Sequence, residues 1–357
     1  MLPLRTSKMV NTQEIYMHRC IQLAKLGMGY VAPNPMVGAV LVYENCIIGE
    51  GYHQQYGGPH AEVNCINSVA EKDKEFISQA TLYVSLEPCT HYGKTPPCAN
   101  LIIENKIPRV IIGCSDLFAH VNGKGIKLLQ EAGILVTVGV MENECLELNK
   151  KFFTFHQYKR PYIILKWAQS LNGIIGTNTA ERLMISNESA NRIVHRWRSE
   201  ESAIMVGSNT VLADNPKLNN RLWSGNQPIR IVLDRDNKIG NSSYVMDGSQ
   251  KTIIINSHIN NEEGNTTYFK INANQDLLKQ VMDYAYQHNM QSILVEGGAI
   301  LLQQFIDHQY WDEARVITNT SLHVAEGVKA PQLSKCNLIK QENILSDIIS
   351  YYRPINE

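Results

Sequence analysis

The pattern His60-Ala61-Glu62, followed downstream by Pro88-Cys89 and Pro97-Cys98, constrains this chain more than any other feature. One imidazole and two thiolates are donors that zinc favours, and a catalytic zinc keeps a fourth position open for water. Any fold must therefore bring three side chains, far apart in sequence, to a single point. Residues two apart do not share a helix face. His60 is accordingly expected at a helix entry, where Gly57-Gly58-Pro59 hold the chain out of regular helix. Cys98 is expected in the first turn of another helix, beginning near Pro97, where the helix dipole favours a thiolate.

The surrounding periodicities say what must carry these residues. Apolar positions recur at helical spacing from Thr12 to Leu26, and two β-type runs, Val37 to Tyr43 and Cys46 to His53, meet at Glu44-Asn45 as a hairpin. Further on, the order α-β-β-α-β-α-β-α-β predicts a mixed sheet with helices on both faces. One helix is expected over Glu142 to Phe153, leading into the basic and aromatic stretch Gln157 to Pro161. At 357 residues the chain exceeds one ordinary core, and the boundary is expected there, giving domains 1–155 and 156–357. In the second half β/α alternation resumes, Asn256 to Asn265 reads as a surface loop, and the tail beyond Thr318 is uninformative.

Composition excludes several classes. Hydrophobic residues make up 44% and charged residues 19%, with a net charge of −1, as in a globular enzyme. No block of like charge offers a footprint for nucleic acid. No apolar run reaches membrane-spanning length, and Met1-Leu2-Pro3-Leu4-Arg5 lacks the apolar stretch of a signal peptide, so a cytoplasmic location is expected. In a reducing compartment the eight cysteines are core filler, metal ligands or nucleophiles rather than a disulfide framework. Cys20, Cys65 and Cys114 sit among apolar neighbours and read as filler.

Glu62 gives the metal pattern a chemistry. Hydrolysis at an amino-bearing ring carbon needs acidified water and a carboxylate that shuttles protons without binding the metal, the H-x-E…P-C-x-x-C logic of zinc deaminases. A closed structural site is the competing reading, but it would want a fourth Cys or His and leaves Glu62 without a purpose. The thiolates here are separated by eight residues, Thr90 to Pro97, among which His91, Lys94 and Thr95 suit a phosphorylated substrate.

Pro33-Asn34-Pro35-Met36-Val37-Gly38, His60-Ala61-Glu62-Val63 and the run from Glu87 to Cys98 resemble the bifunctional deaminase–reductase family of bacterial riboflavin biosynthesis. The resemblance implies an α/β architecture: a cytidine-deaminase-like three-layer domain, then a dihydrofolate-reductase-like α/β domain. It implies zinc on His60, Cys89 and Cys98, with Glu62 catalytic, and it places Asn34, His53, His91, Lys94 and Asp116 around the substrate. Where the family continues Asp-Pro-Asn-Pro, this chain has Asp116-Leu117-Phe118-Ala119, so packing by Phe118 is expected in place of an amide contact.

The second half has no G-x-G-x-x-G. Glu296-Gly297-Gly298, Val206 to Val211, Asp214 to Leu218 and Ser170-Leu171-Asn172-Gly173 are similar to the family's reductase pattern, with Asn172 where Asp is commoner. By this resemblance NADPH would lie along Ala168, Met184, Thr210, Asp214 and Gly298-Ala299-Ile300-Leu301-Leu302. Lys166, Arg182, Arg198, Leu218, Arg221 and Glu296 would surround the substrate, with Arg198 and Arg221 suited to its phosphate. The implied reactions are zinc-dependent deamination of a 2,5-diamino-6-(phosphoribosylamino)pyrimidinone, then reduction of the ribosyl chain to ribityl by NADPH. The implied partner is a phosphorylated pyrimidine, with no nucleic acid and no membrane, and a homo-oligomer is left open. Two other readings remain on the residues alone. One is a nucleic-acid or nucleoside deaminase with an accessory nucleotide-binding domain, which would want a basic groove and stacking aromatics. The other is a zinc-stabilised module that only senses a nucleotide.

Overall fold

The computed structural model describes residues 12–90, 96–116, 123–177 and 183–355. The chain divides into two compact units, 1–157 and 158–357. In chain order the first unit has α1 (Thr12–Lys25), β1 (Gly38–Tyr43), β2 (Cys46–Tyr52), α2 (Ala61–Asn67), a 3-10 helix (Glu71–Gln79) and β3 (Thr81–Leu86). It continues with α3 (Cys98–Glu104), β4 (Arg109–Cys114), α4 (Lys124–Glu131), β5 (Leu135–Val138), α5 (Glu142–Leu148) and α6 (Lys150–Tyr158).

Among the described residues the first unit holds a five-stranded sheet in the order β2-β1-β3-β4-β5. Its β1 is antiparallel to both β2 and β3, while β3, β4 and β5 run parallel. The hairpin turns on Glu44 (φ 46°) and Asn45 (φ 64°), the left-handed pair that a two-residue turn requires. Strand alternation builds a core on each face. Ala39, Leu41, Leu82, Val84, Val110 and Ile112 pack under α2, α3 and α4, while Val40, Val42, Tyr83 and Ile111 pack under α1, α5 and α6. This is the three-layer arrangement expected. Helix α2 lies so close on β2 that a Cβ at Gly51 would stand 2.2 Å from the Cys65 nitrogen, which only glycine permits.

The helix expected over Glu142 to Phe153 is broken. Asn149 caps α5 out of helical geometry, and its buried amide accepts from the Met36 N–H and donates to the Met36 carbonyl, both at 2.8 Å. The break is what lets a side chain clamp the segment that carries Asn34.

The second unit has β6 (Tyr162–Gln169), β7 (Ile174–Gly176), α7 (Glu188–Glu200), β8 (Ala203–Gly207), α8 (Ser208–Asp214), β9 (Ile229–Leu233), β10 (Thr252–Asn256), β11 (Asn261–Glu263) and β12 (Thr266–Lys270). Then follow α9 (Leu277–Gln287), β13 (Ser292–Gly297), α10 (Ala299–Asp307), β14 (Glu313–Asn319), β15 (Val328–Lys329), β16 (Cys336–Ile344) and β17 (Asp347–Pro354). Among the described residues a ten-stranded sheet runs β11-β12-β10-β9-β8-β13-β6-β14-β17-β16. The strands from β12 to β14 in that order are parallel, and β11, β17 and β16 pair antiparallel at the two ends. One face packs under α9 and α10, and the other under α7 and α8. Two sequence readings are corrected here. The expected loop Asn256 to Asn265 contains the exposed edge strand β11, whose residues Asn261-Glu262-Glu263 carry no apolar signal. The tail forms the hairpin β16–β17, which extends the sheet along β14. Among the described residues no helix is long and apolar enough to cross a membrane.

Candidate functional site

The chain enters α2 through His60, whose backbone is extended (φ −74°, ψ 167°) and whose carbonyl accepts from Asn64 N–H to open the helix. Its imidazole is thereby freed from the helix face that buries Glu62 beside it. Cys98 is the first residue of α3, and its backbone N–H points at the Cys89 sulfur, 3.4 Å away. The His60 Nδ1 lies 3.2 Å from Cys98 Sγ and 3.5 Å from Cys89 Sγ, and the three donor atoms all fall within 4.8 Å of one another. A tetrahedral zinc with Zn–N about 2.05 Å and Zn–S about 2.3 Å needs N···S separations of about 3.6 Å. The donor set and spacing fit that ion closely.

Electrostatics agree. The hydrogen bond with Cys98 holds the Cys89 thiol down at about 4 despite burial, with His60 assisting. The same hydrogen bond to Cys89, together with burial, pushes the Cys98 thiol up. Two thiolates this close cannot both ionise in isolation, and a divalent cation removes the conflict by binding both. Glu62 is 3% exposed, and burial, then the Cys89 charge, pushes its carboxyl up to about 7. A carboxyl poised near neutrality can both take and give a proton.

Asn34 and His53 meet at the open ends of the β1–β2 hairpin. The His53 Nδ1 stands 3.0 Å from the Pro59 carbonyl and its Nε2 3.0 Å from Asn34 Nδ2. The carbonyl can only accept, so the imidazole is the neutral Nδ1–H form and Nε2 accepts from Asn34. Burial also lowers its pKa. His53 thus ties the turn before His60 to the Asn34 amide. Asp116 follows β4 and is buried, with its N–H donating to Glu87 Oε2 at 3.2 Å. His91, Lys94 and Phe118 lie outside the described residues, as does Arg182 in the second unit.

In the second unit Lys166 on β6, Glu296 on β13 and the turn at Gly298 lie towards the carboxyl ends of neighbouring parallel strands, the position where open α/β sheets take ligands. The β8–β13 register shifts between Val295 and Gly297, so Glu296 sits on a bulge that re-aims its side chain. Its carboxylate receives Arg198 through Nε and Nη2, both at 2.7 Å, with the Lys166 Nζ at 3.7 Å. Burial alone would raise Glu296, but Arg198 and Lys166 hold it down at about 2. The Arg198 fork, which the sequence suited to phosphate, is therefore spent on Glu296, and its Nη1 reaches the Asn219 carbonyl at 3.1 Å. Arg221 keeps an exposed side chain beside Asn219, and Leu218 is buried.

Thr210 on α8 accepts the Gly298 N–H at 3.0 Å, joining the two glycine-rich turns. Leu301 and Leu302 face the core, Ile300 and Met184 are exposed, Asp214 is exposed, and Ala168 is half-buried near the end of β6. Asn172 explains its departure from the commoner Asp. Its Nδ2 donates to the Val324 carbonyl at 2.7 Å, which a carboxylate could not do, while Oδ1 accepts from Val324 N–H at 3.2 Å.

Sequence reasoning missed three residues. His195 accepts the Arg221 N–H at 3.2 Å, but nothing distinguishes one histidine inside an amphipathic helix. Asn149 was hidden in a helical period. Glu87 lay in plain view beside Pro88-Cys89, where an acid ending a buried strand was the signal to follow.

Residues 10–114 match the family model of the cytidine and deoxycytidylate deaminase zinc-binding region, and residues 161–322 match that of the RibD C-terminal domain. The chain is 37% identical over 352 residues to the riboflavin biosynthesis protein RibD of Aquifex aeolicus, covering 95% of this chain and 97% of that one. It is 39% identical over 310 residues to RibD of Bacillus amyloliquefaciens, covering 84% and 82%. Among solved structures it is similar to the diaminohydroxyphosphoribosylaminopyrimidine deaminase/5-amino-6-(5-phosphoribosylamino)uracil reductase of Thermotoga maritima. That similarity has a TM-score of 0.89 at 34% identity and covers 96% of this chain and 99% of that one.

Proposed function

The chain belongs to the RibD family of riboflavin biosynthesis proteins, and on that premise we propose how its own residues divide the chemistry. It is a bifunctional zinc-dependent deaminase and NADPH-dependent reductase with a cytidine-deaminase-like first domain and a dihydrofolate-reductase-like second one. We divide the two activities at residues 155 and 156. The first substrate in this reading is a 2,5-diamino-6-(phosphoribosylamino)pyrimidinone. Its ring C–NH2 and one water become C=O and ammonia.

His60, Cys89 and Cys98 would hold the zinc, which when bound supplies an acidified water. Glu62 takes a proton from that water on a carboxylate oxygen and delivers protons to the ring nitrogen and the leaving amine. Asn34, oriented by His53, and Asp116 contact the ring or its phosphoribosyl group, together with His91 and Lys94. The observation that carries this reading is the convergence of three donors around a buried carboxyl poised near 7.

In the second unit NADPH supplies hydride for reduction of the ribosyl unit to ribityl. We assign the cofactor to Ala168, Met184, Thr210, Asp214 and the backbone from Gly298 through Leu302, since Leu301 and Leu302 have buried side chains. Lys166, Arg182, Leu218, Arg221 and the Arg198–Glu296 pair surround the substrate, with Arg221, an exposed guanidinium, assigned to its phosphate. We read the protein as a cytoplasmic enzyme of small molecules, without nucleic-acid or membrane partners, and compatible with a homo-oligomer. Chelation tests the assignment. Metal-stripped protein should lose ammonia release and regain it with one equivalent of zinc, while NADPH oxidation on the deaminated intermediate continues. Full deamination by metal-free protein would overturn it.

A further inference from the structure

We infer that Glu87 is a positioning residue of the deaminase, acting through Asp116. The carboxylate is 4% exposed at the end of β3 and collects four backbone N–H groups. Oε2 accepts from Asp116 at 3.2 Å and Gly123 at 3.1 Å, and Oε1 accepts from Gly125 at 2.9 Å and Ile126 at 3.3 Å. These donors come from both sides of the β4–α4 connection, so one side chain fixes Asp116, two residues beyond the end of β4, and the first turn of α4 at once. A buried anion suits this place because the N–H groups at a helix start are unpaired and carry positive partial charge.

A second observation shows how tightly the assembly is drawn. A Cβ on Gly125 would stand 2.1 Å from the Pro88 carbonyl oxygen, so α4 is pulled onto the segment that leads to Cys89 until no side chain fits between. Glu87 is joined to β4 by its own N–H as well, which donates to the Cys114 carbonyl at 3.0 Å. An amide cannot replace the carboxylate, since one of its two ends would present N–H2 to two N–H donors. The effect is on Asp116, whose backbone is one of the four ligands of this carboxylate. The inference rests on the reading of Asp116 as a substrate contact.

The test is a double-mutant cycle in the full-length zinc-loaded chain with Glu87→Gln, Asp116→Ala and both together. Ammonia release, NADPH oxidation and zinc content are measured in each. Glu87→Gln is expected to keep its zinc and its reductase rate and to lose about a hundredfold in deaminase kcat/KM, mostly through KM. The double variant should be no worse than Asp116→Ala, because two residues acting through one contact are not additive. An unchanged kcat/KM in Glu87→Gln beside an impaired Asp116→Ala, losses that multiply in the double variant, or a loss that tracks missing zinc would each overturn the inference. Normal deamination by Asp116→Ala would instead remove the reading of Asp116, and the route through it. If Glu87→Gln does not fold, Glu87→Asp, which keeps both acceptor oxygens on a shorter stem, takes its place under the same criteria.

Discussion

His195 is the residue whose environment makes the plainest demand on the second unit. It is buried on α7, and its Nδ1 takes the Arg221 N–H, which requires a neutral ring. Burial, with Arg198 and Arg221 nearby, pushes its pKa down to about 4, against about 6.5 in an unfolded chain. Between those values the unfolded chain binds more protons, so stability is full above pH 6.5 and is lost as pH falls towards 4. The loss should be on the order of 3 kcal/mol. All four tryptophans, Trp167, Trp197, Trp223 and Trp311, lie in this unit, so urea unfolding followed by fluorescence reads it directly. His195→Gln should flatten the decline between pH 6.5 and 4, and parallel profiles for the two proteins would contradict the assignment. Glu62 differs from His195 in purpose. Burial raises the one to about 7, where it can carry protons, and lowers the other so that it carries none.

At the scale of elements, the proposed metal centre depends on ends rather than on helix faces. His60 precedes α2, Cys98 begins α3, and Asn34 and His53 flank the hairpin. Asn149 holds this set from behind by binding both backbone groups of Met36. Asn149→Leu would leave two backbone groups of the half-buried Met36 unpaired and should cost about 2 kcal/mol. A fall in the urea midpoint for loss of deamination, with the tryptophan transition of the second unit unmoved, is the expected result. An unchanged midpoint would show that the clamp carries no load.

This is also the scale at which the sequence was most and least legible. The hairpin at Glu44-Asn45, the helix entry at His60 and the buried strands β6, β8 and β13 could be read because apolar runs and turn residues are local signals. The break at Asn149 could not, because its cause lies in Met36, far away in the chain. Strands β11 and β16 escaped notice because edge strands face solvent and show no apolar alternation. The convergence of His60, Cys89 and Cys98 was legible from donor type and spacing. The occupation of Arg198 by Glu296 was not, since a guanidinium suits carboxylate and phosphate alike.

For the whole molecule, the two units have separate cores and separate sets of candidate residues, and each matches its own family model. Deamination and reduction are therefore proposed as two sites on one chain, with Glu62 moving protons in the first and having no part in the second. The measurement that tests this most directly follows ammonia release and NADPH oxidation separately in Glu62→Gln. With zinc retained, ammonia release should fall about a hundredfold or more, while the supplied deaminated intermediate is reduced at the wild-type rate. Wild-type ammonia release, or failure to reduce that intermediate by a folded, zinc-loaded variant, would contradict the account.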